Sequence, residues 1–563
     1  MRKVKRGDVR EAYIKGIRTA LLVDDHFPTY LSALNGRHGR ANEKERAKKL
    51  VSMCQKRNWL CDVESDIDLA ERSRLHQSDL LILDYHLDPE DDRDPSKALN
   101  VIKNLSQTPY FNLVIIYTAD PKLDEVALDV AFRLGAGGQA ISDEERERIN
   151  DAIEEEEEVG TPAPVPSKKA VISFLRGKFD RDFMAEVRRV YGSGPDEPKF
   201  AQCILENYFQ RRASDLGDAL KVRGQRAVFE APETDNKLRW VQSGNVFVVI
   251  ESKETGPNRL IGKLEKALEE WCPSPVHLIL AHAKEAIEKG GVRQNASILN
   301  DPIKEAAWMF HALSKEGPAE HEEKIGQLYS GLFEALGNSV TADVAKFGAQ
   351  LLRPVEAKKA LKSSQKLARL PASTPDFQIV HKLNEFLSTT KFVGDRITTG
   401  VIFRSVAAGS EENYWVCVSP ACSMVLGQWD EWEKSLEPTL PVSALRLTPT
   451  KSELGQKRIL EKATHCRQLF LKVDGTPISL AMMSDEARET ASEKIFLDDH
   501  GKVSVSGAFS GRRVRKNGDG DIEFVPTSFE AVAVLRAEYA NRSLSKHGQH
   551  ETRVGVDFVN LPS

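Results

Sequence analysis

Three stretches of the chain are apolar without alternation and stop on acidic or hydroxyl residues. Arg18 to Asp25 reads RTALLVDD, Asp79 to Asp88 reads DLLILDYHLD, and Asn112 to Asp120 reads NLVIIYTAD. Runs of this kind predict strands buried on both faces, as in a parallel sheet covered by helices. The segments between them carry helical spacing. Ala47, Leu50, Val51 and Cys54 recur on one face of Ala41–Trp59, and Pro95–Ser106 and Leu123–Leu134 are similar. Ile67–Leu75 can form a further short helix and Leu60–Glu64 a short strand. A fifth strand is expected at Gln139–Ser142, followed by an acidic helix over Asp143–Glu158. Strands alternating with helices predict an α/β fold with a doubly wound parallel sheet.

In open α/β sheets, chemistry collects at the carboxyl ends of the strands. Here those ends supply Asp24 and Asp25, Asp84, and Thr118. Clustered carboxylates repel one another, and a hard cation such as Mg²⁺ relieves the repulsion. An aspartate can also accept a phosphoryl group, and a nearby hydroxyl can bond a phosphate oxygen. In these motifs the region from about residue 15 to 158 resembles the receiver domain of bacterial response regulators, with a flavodoxin-like fold. The resemblance implies an acidic pair at Asp24 and Asp25, a phosphoacceptor at Asp84 and a switch residue at Thr118. It also implies Mg²⁺ held by Asp24, Asp25 and Asp84. Downstream, FRLGAGGQAIS is similar to the family's Gly-Ala, one residue, Gly, short strand and lysine; Gly135, Ala136 and Gly138 fit. The lysine position falls on Ser142. In the family that lysine contacts the phosphoryl group, so a weakened phosphorylated state is expected. A long insert from His26 to about Ala41 is a second departure.

GTPAPVPS, from Gly160 to Ser167, has prolines at alternate positions and predicts an extended linker. The expected domains are therefore 1–158 (receiver-like), 159–167 (linker), 168–388 (a helical α+β middle domain) and 389–563 (a strand-rich α+β domain). In the middle region, helices are expected at Lys168–Lys178, Arg181–Tyr191 and Lys199–Leu220. Strands follow at Arg226–Ala231, Leu238–Gln242 and Asn245–Ser252, then a helix at Asn258–Trp271 and a strand at Val276–Ala281. Asp301 to about Leu387 reads as helical. Further on, Gly394–Val406 and Tyr414–Val425 look like paired strands, Gln468–Val473 and Lys502–Phe509 add strands, and Phe529–Lys546 reads as an amphipathic helix. Val554–Val559 reads as a final strand.

A second chemistry is conceivable in the middle region. Asp235 before one strand and Glu251 and Lys253 at the end of the next resemble the arrangement of PD-(D/E)xK nucleases. Such nucleases hold a metal with two carboxylates and polarise the attacking water with a lysine. The Pro-Asp pair is missing, and an ordinary hairpin with charged ends is the simpler reading. Cys417 and Cys422 flank Pro420; a nucleophilic role would need a partner such as His465, and alternating burial accounts for them better. Arg512, Arg513 and Arg515 precede Asn517-Gly518, a strong turn signal. They read as a hairpin tip, with nucleic-acid contact as the alternative. The basic run Lys358–Arg369 and the acidic run Glu154–Glu158 read as solvated faces.

Composition changes the picture little. A net charge of −5 argues against a chain that coats nucleic acid along its length. The seven cysteines are scattered without a CxxC pair, which fits reduced thiols in a cytoplasm. No apolar stretch is long enough to span a membrane. The expected role is signalling, with the receiver-like domain controlling a non-standard output region. Large receiver-headed chains of this look resemble components of bacterial anti-phage defence systems, and the resemblance implies a histidine kinase or GHKL-type ATPase as partner. A nuclease gated by the receiver, and a structural subunit with a pseudo-receiver docking domain, are the alternatives.

Overall fold

The computed structural model describes residues 4–30, 41–65, 75, 78–87, 94–213, 220, 227–230, 238–299, 301–313, 318–353, 356–406, 413–424, 429–450, 453–462, 468–482 and 492–551. The chain divides into two compact units, Met1–Ser363 and Ser364–Ser563.

The first unit is built on one seven-stranded sheet. Its strands are β1 (Thr19–Val23), β2 (Leu60–Glu64), β3 (Leu80–Leu83), β4 (Asn112–Thr118), β5 (Val228–Glu230), β6 (Arg239–Ser243) and β7 (Val246–Ser252), in the order 2-1-3-4-7-6-5. Strands β2, β1, β3, β4 and β7 run parallel, and β6 and β5 return antiparallel at the far edge. Every residue of β3 and β4 is buried, as runs covered on both faces must be. After a short helical segment at Arg6–Ile14, the helices of this region include α1 (Ala41–Gln55), α2 (Ser96–Ser106), α3 (Leu123–Arg133) and α4 (Asp143–Glu158).

The expected fifth strand at Gln139–Ser142 does not form. The backbone of Gln139 is taken by Gln202, whose Oε1 accepts from the Gln139 amide at 3.0 Å and whose Nε2 donates to its carbonyl at 2.5 Å. The place beside β4 belongs to β7, which pairs with it from Asn112↔Val246 to Thr118↔Ser252. The proline-rich stretch therefore does not separate two sheets, because strands from either side of it share one.

The helices that follow it, α5 (Lys168–Leu175), α6 (Arg181–Tyr191) and α7 (Glu197–Gln210), join one core with α2 and α3. Phe132 of α3 stacks on Phe209 of α7, with ring centroids 4.0 Å apart. On the other sheet face, α1 packs with α8 (Pro257–Trp271) around Leu22, Leu50, Ile82, Ile115 and Trp271. Val276–Ala281 is helical, within α9 (Pro275–Leu299), and not a strand. A short apolar run fits either state, and here a proline at the first helical position starts a long helix. Helices α10 (Pro302–Leu313) and α11 (Pro318–Leu352) complete the unit. The expected helix Ile67–Leu75 lies, but for Leu75, outside the described residues.

The second unit holds a nine-stranded antiparallel sheet that closes on itself. Strands β9 (Val401–Ser405), β10 (Tyr414–Cys417), β11 (Leu440–Thr450), β14 (Ser492–Leu497), β15 (Ala508–Lys516) and β16 (Ile522–Leu535) form a barrel, sealed where β10 pairs with β11. Its interior is filled by Phe403, Trp415, Phe509 and Phe529, among others. The hairpin of β12 (Gln468–Val473) and β13 (Thr476–Ala481) continues from the end of β11, and the short β8 (Thr389–Thr390) pairs with β16. The turn between β15 and β16 falls at Asn517-Gly518 as expected. Phe529–Leu535 is strand and not helix, its residues alternating buried and half-buried; the helix begins only at Ala537. Lys502–Ser506 is likewise outside any strand, since β15 starts at Ala508. The expected strand Val554–Val559 lies outside the described residues.

Candidate functional site

Three parallel strand ends bring the acidic residues together. Asp24 follows β1, and its amide donates to the Glu64 carbonyl at 3.1 Å. Asp84 follows β3, and its amide donates to the Val23 carbonyl at 2.8 Å. Both side chains are buried. Between them lies the ammonium of Lys253, with Nζ 2.5 Å from Asp84 Oδ2 and 2.7 Å from Asp24 Oδ2. The lysine side chain is only 7% exposed, and Nζ sits 5.7 Å from the Phe27 ring centroid.

Lys253 is the first residue after β7. Its amide donates to the Thr118 carbonyl at 2.7 Å, extending the β4–β7 ladder by one step. The family's lysine position falls on Ser142, and the ammonium beside Asp84 comes instead from the end of a different strand. Ser142 instead caps α4, its Oγ accepting from the Glu145 amide at 3.3 Å. A capping serine satisfies an otherwise orphaned helix amide.

Burial pushes the Asp24 carboxyl up to about 6, and Asp84 adds to the rise; Lys253 and the His26 amide oppose it. Burial alone would lower the Lys253 ammonium, but Asp84 and Asp24 overcome this and raise it. The lysine is therefore charged, and the site holds an anionic excess that one ammonium does not cancel. Asp25 is bonded through Oδ1 to His26 Nδ1 at 2.6 Å. One donor atom each from Asp24, Asp25 and His26 lie within 4.8 Å of one another. Hard carboxylate oxygens beside excess negative charge fit Mg²⁺. The Thr118 hydroxyl at the end of β4 is fully buried and accepts from the Asp120 amide at 3.1 Å.

The raised Asp24 pKa has a stability consequence. A carboxyl whose folded pKa exceeds its unfolded value stabilises the fold below the unfolded pKa and loses that contribution as pH rises through the folded one. For Asp24 the window runs from its ordinary 3.8 to about 6. Asp24→Asn is expected to remove a loss of about 3 kcal/mol across that window. The check is urea unfolding of both chains at either end of it, in chelator; identical pH dependence would contradict the assignment.

Around this cluster a second network forms. Tyr85, next to Asp84, donates from its hydroxyl to Asp129 Oδ2 of α3 at 2.7 Å. Arg212, just past α7, donates to the same carboxylate from Nε at 3.0 Å and Nη2 at 2.9 Å, and also pairs with Glu125. Asp124 of α3 pairs with Lys168 and with Arg239, each at 2.6 Å. The acidic edge of α3 is thus gripped by three cations from beyond the proline-rich stretch.

Other candidates are placed differently. Glu251 is buried, accepts from Thr255 Oγ1 at 3.1 Å and pairs with Lys263 at 3.5 Å. Lys253 of the same pattern is engaged with Asp24 and Asp84, and Asp235 lies outside the described residues. Arg513 is buried, paired with Glu493 at 2.8 Å, and its guanidinium lies 4.5 Å from the Trp415 ring centroid. It is a barrel residue and not a hairpin-tip contact; Arg512 is half exposed and 3.7 Å from Asp498, and Arg515 is exposed. Cys417 is buried in the barrel and burial pushes its thiol up to about 11, which disfavours a nucleophile; His465 lies outside the described residues. Among the described residues, no helix is long and apolar enough to cross a membrane.

Comparison with known proteins agrees with the strand-end geometry. The family model of the response receiver domain matches residues 16–161. No curated protein and no solved structure matches the chain. The matched region contains Asp24, Asp25, Asp84 and Thr118 and ends well before Lys253. A receiver domain supports a signalling role of the response-regulator kind.

Proposed function

We propose that the chain is a phosphorylation-controlled signalling protein in which Asp84 is the phosphoacceptor. The observation that carries the reading is the Asp24–Lys253–Asp84 bridge, with a buried ammonium held against the acceptor carboxylate. In the reaction, an Asp84 carboxylate oxygen attacks the phosphorus of the donor. The bond from phosphorus to the donor's leaving group breaks, and an acyl phosphate forms on Asp84. Lys253 then moves its charge from the bare carboxylate to a phosphoryl oxygen. The Thr118 hydroxyl supplies a hydrogen bond from the end of β4. Asp24, Asp25 and Asp84 would hold Mg²⁺, which when bound offsets the charge of the phosphoryl group.

A histidine kinase or a GHKL-type ATPase is the fitting phosphodonor, in a cytoplasmic setting. The output belongs to the segments that complete the sheet and to the barrel unit. The resemblance to anti-phage defence components names the setting, and phage challenge of cells carrying wild type or Asp84→Ala tests it.

Beryllofluoride, a phosphoryl mimic, tests the central claim. Wild type is expected to bind it in the presence of Mg²⁺, and Asp84→Ala is expected not to. Isothermal titration reads the affinity. If both chains fail to bind, the domain is a docking surface without phosphoryl chemistry.

A further inference from the structure

Lys253 is held by its backbone as well as by its charge, and one side chain does much of that holding. Tyr117 sits on β4 immediately before Thr118, directly opposite Glu251 of β7. Its ring is buried, and its hydroxyl lies 2.7 Å from the Thr255 carbonyl and 3.1 Å from the Lys253 carbonyl. The same short turn is closed internally. The Thr255 amide donates to the Ser252 carbonyl at 2.8 Å, and the Glu254 amide to Ser252 Oγ at 3.1 Å. Glu251 accepts the Thr255 hydroxyl at 3.1 Å. After Gly256, α8 begins.

We infer that Tyr117 is a positioning residue for the phosphoacceptor site: it fixes the Lys253–Thr255 turn so that the lysine ammonium meets both Asp24 and Asp84. The inference rests on the phosphoacceptor reading above. A lysine side chain carries much rotamer freedom, and ordering it costs free energy. That cost is smaller when the backbone from which it extends is already fixed. β7 enters the receiver-like sheet from beyond the proline-rich stretch, so the seam with β4 must be exact at its last residues. The ladder ends with the Lys253 amide on Thr118, and Tyr117 carries the fastening one turn further. Phenylalanine at 117 would keep the ring and its packing while removing the only β4 side-chain bond to that turn among the described contacts.

The test is a double-mutant cycle on the full chain, read by beryllofluoride affinity in Mg²⁺. Tyr117→Phe is expected to weaken binding roughly 3- to 10-fold, as the loss of one buried hydrogen bond would. Lys253→Met weakens it further, and in that background Tyr117→Phe is expected to have no additional effect. Thermal unfolding of Tyr117→Phe checks that the sheet is intact. If Tyr117→Phe weakens binding equally with and without Lys253, the tyrosine is merely structural and the inference fails. If Tyr117→Phe binds like wild type, it fails too. Absence of binding by the wild type would instead sink the phosphoacceptor reading, and this inference with it.

Discussion

Lys253→Ala is expected to lower beryllofluoride affinity by roughly 10- to 150-fold and to make stability depend on Mg²⁺. The first effect follows from the proposed role, in which the ammonium would make a charge-assisted bond to a phosphoryl oxygen on Asp84, worth about 1.5–3 kcal/mol. The second follows from what the lysine does at rest. Asp24 and Asp84 are both buried, and Lys253 touches each within 2.7 Å. Removing the cation leaves two buried carboxylates facing each other. Breaking a buried ion pair from one side costs about 3–5 kcal/mol, because the remaining charge is uncompensated. A divalent ion would restore part of that by binding the folded state alone. Thermal unfolding with chelator and with millimolar Mg²⁺ reads the difference. Wild type should respond less, since its lysine already neutralises part of the cluster. A variant that keeps wild-type stability in chelator and wild-type beryllofluoride affinity would contradict the role given to Lys253.

That role shows where the sequence was informative and where it was not. β1, β3 and β4 were legible because each is an unbroken apolar run, and Asp24, Asp84 and Thr118 stand where those runs stop. Helical spacing likewise placed α1, α2 and α3 within a few residues. Lys253 is not legible as a partner of Asp84 because strand pairing is non-local. Nothing in QAIS says that Gln202 will occupy the Gln139 backbone, and the hairpin pattern of β6 and β7 does not name β4 as the partner of the second edge of β7. A signal did exist. β7 is apolar at every position from Val246 to Ile250, which suits a strand buried on both faces better than the outer arm of a hairpin. It is also followed directly by a lysine, the residue type the receiver family carries where this chain has Ser142. β16 was misread for the opposite reason: the period-two pattern of Phe529–Leu535 was present, but the amphipathic run continuing into Ala537 masked its end.

Arg212→Ala is expected to destabilise the first unit by about 3–5 kcal/mol, the cost of leaving a buried carboxylate without its cation. Asp129 is that carboxylate. Burial raises its pKa, and Arg212 and the Tyr85 hydroxyl oppose the rise. Burial would lower the Arg212 guanidinium, yet Asp129 and Glu125 together hold it above its ordinary value. With the arginine gone, Asp129 keeps the Tyr85 hydroxyl as its hydrogen-bond donor among the described residues, so its pKa should rise further. The sign of the pH dependence follows. A carboxyl with a raised folded pKa stabilises at low pH and loses that contribution as pH increases, so the variant's deficit should grow from pH 4 towards neutrality. Replacing both partners, as Arg212→Met with Asp129→Asn, should recover most of the loss, since no buried charge then remains. Because the chain has two units, the readout should be local: hydrogen exchange of the α3 amides, compared across the three chains. The same measurement bears on signalling. Tyr85 adjoins Asp84, the proposed phosphoacceptor, and Asp129 lies on the helix that follows Thr118. If beryllofluoride binding changes α3 protection in wild type but not in the double variant, the Tyr85–Asp129–Arg212 chain links the state of Asp84 to the helices beyond the proline-rich stretch. If protection changes alike in both, that link runs elsewhere, and the β4–β7 seam at Lys253 is the connection that touches Asp84 itself.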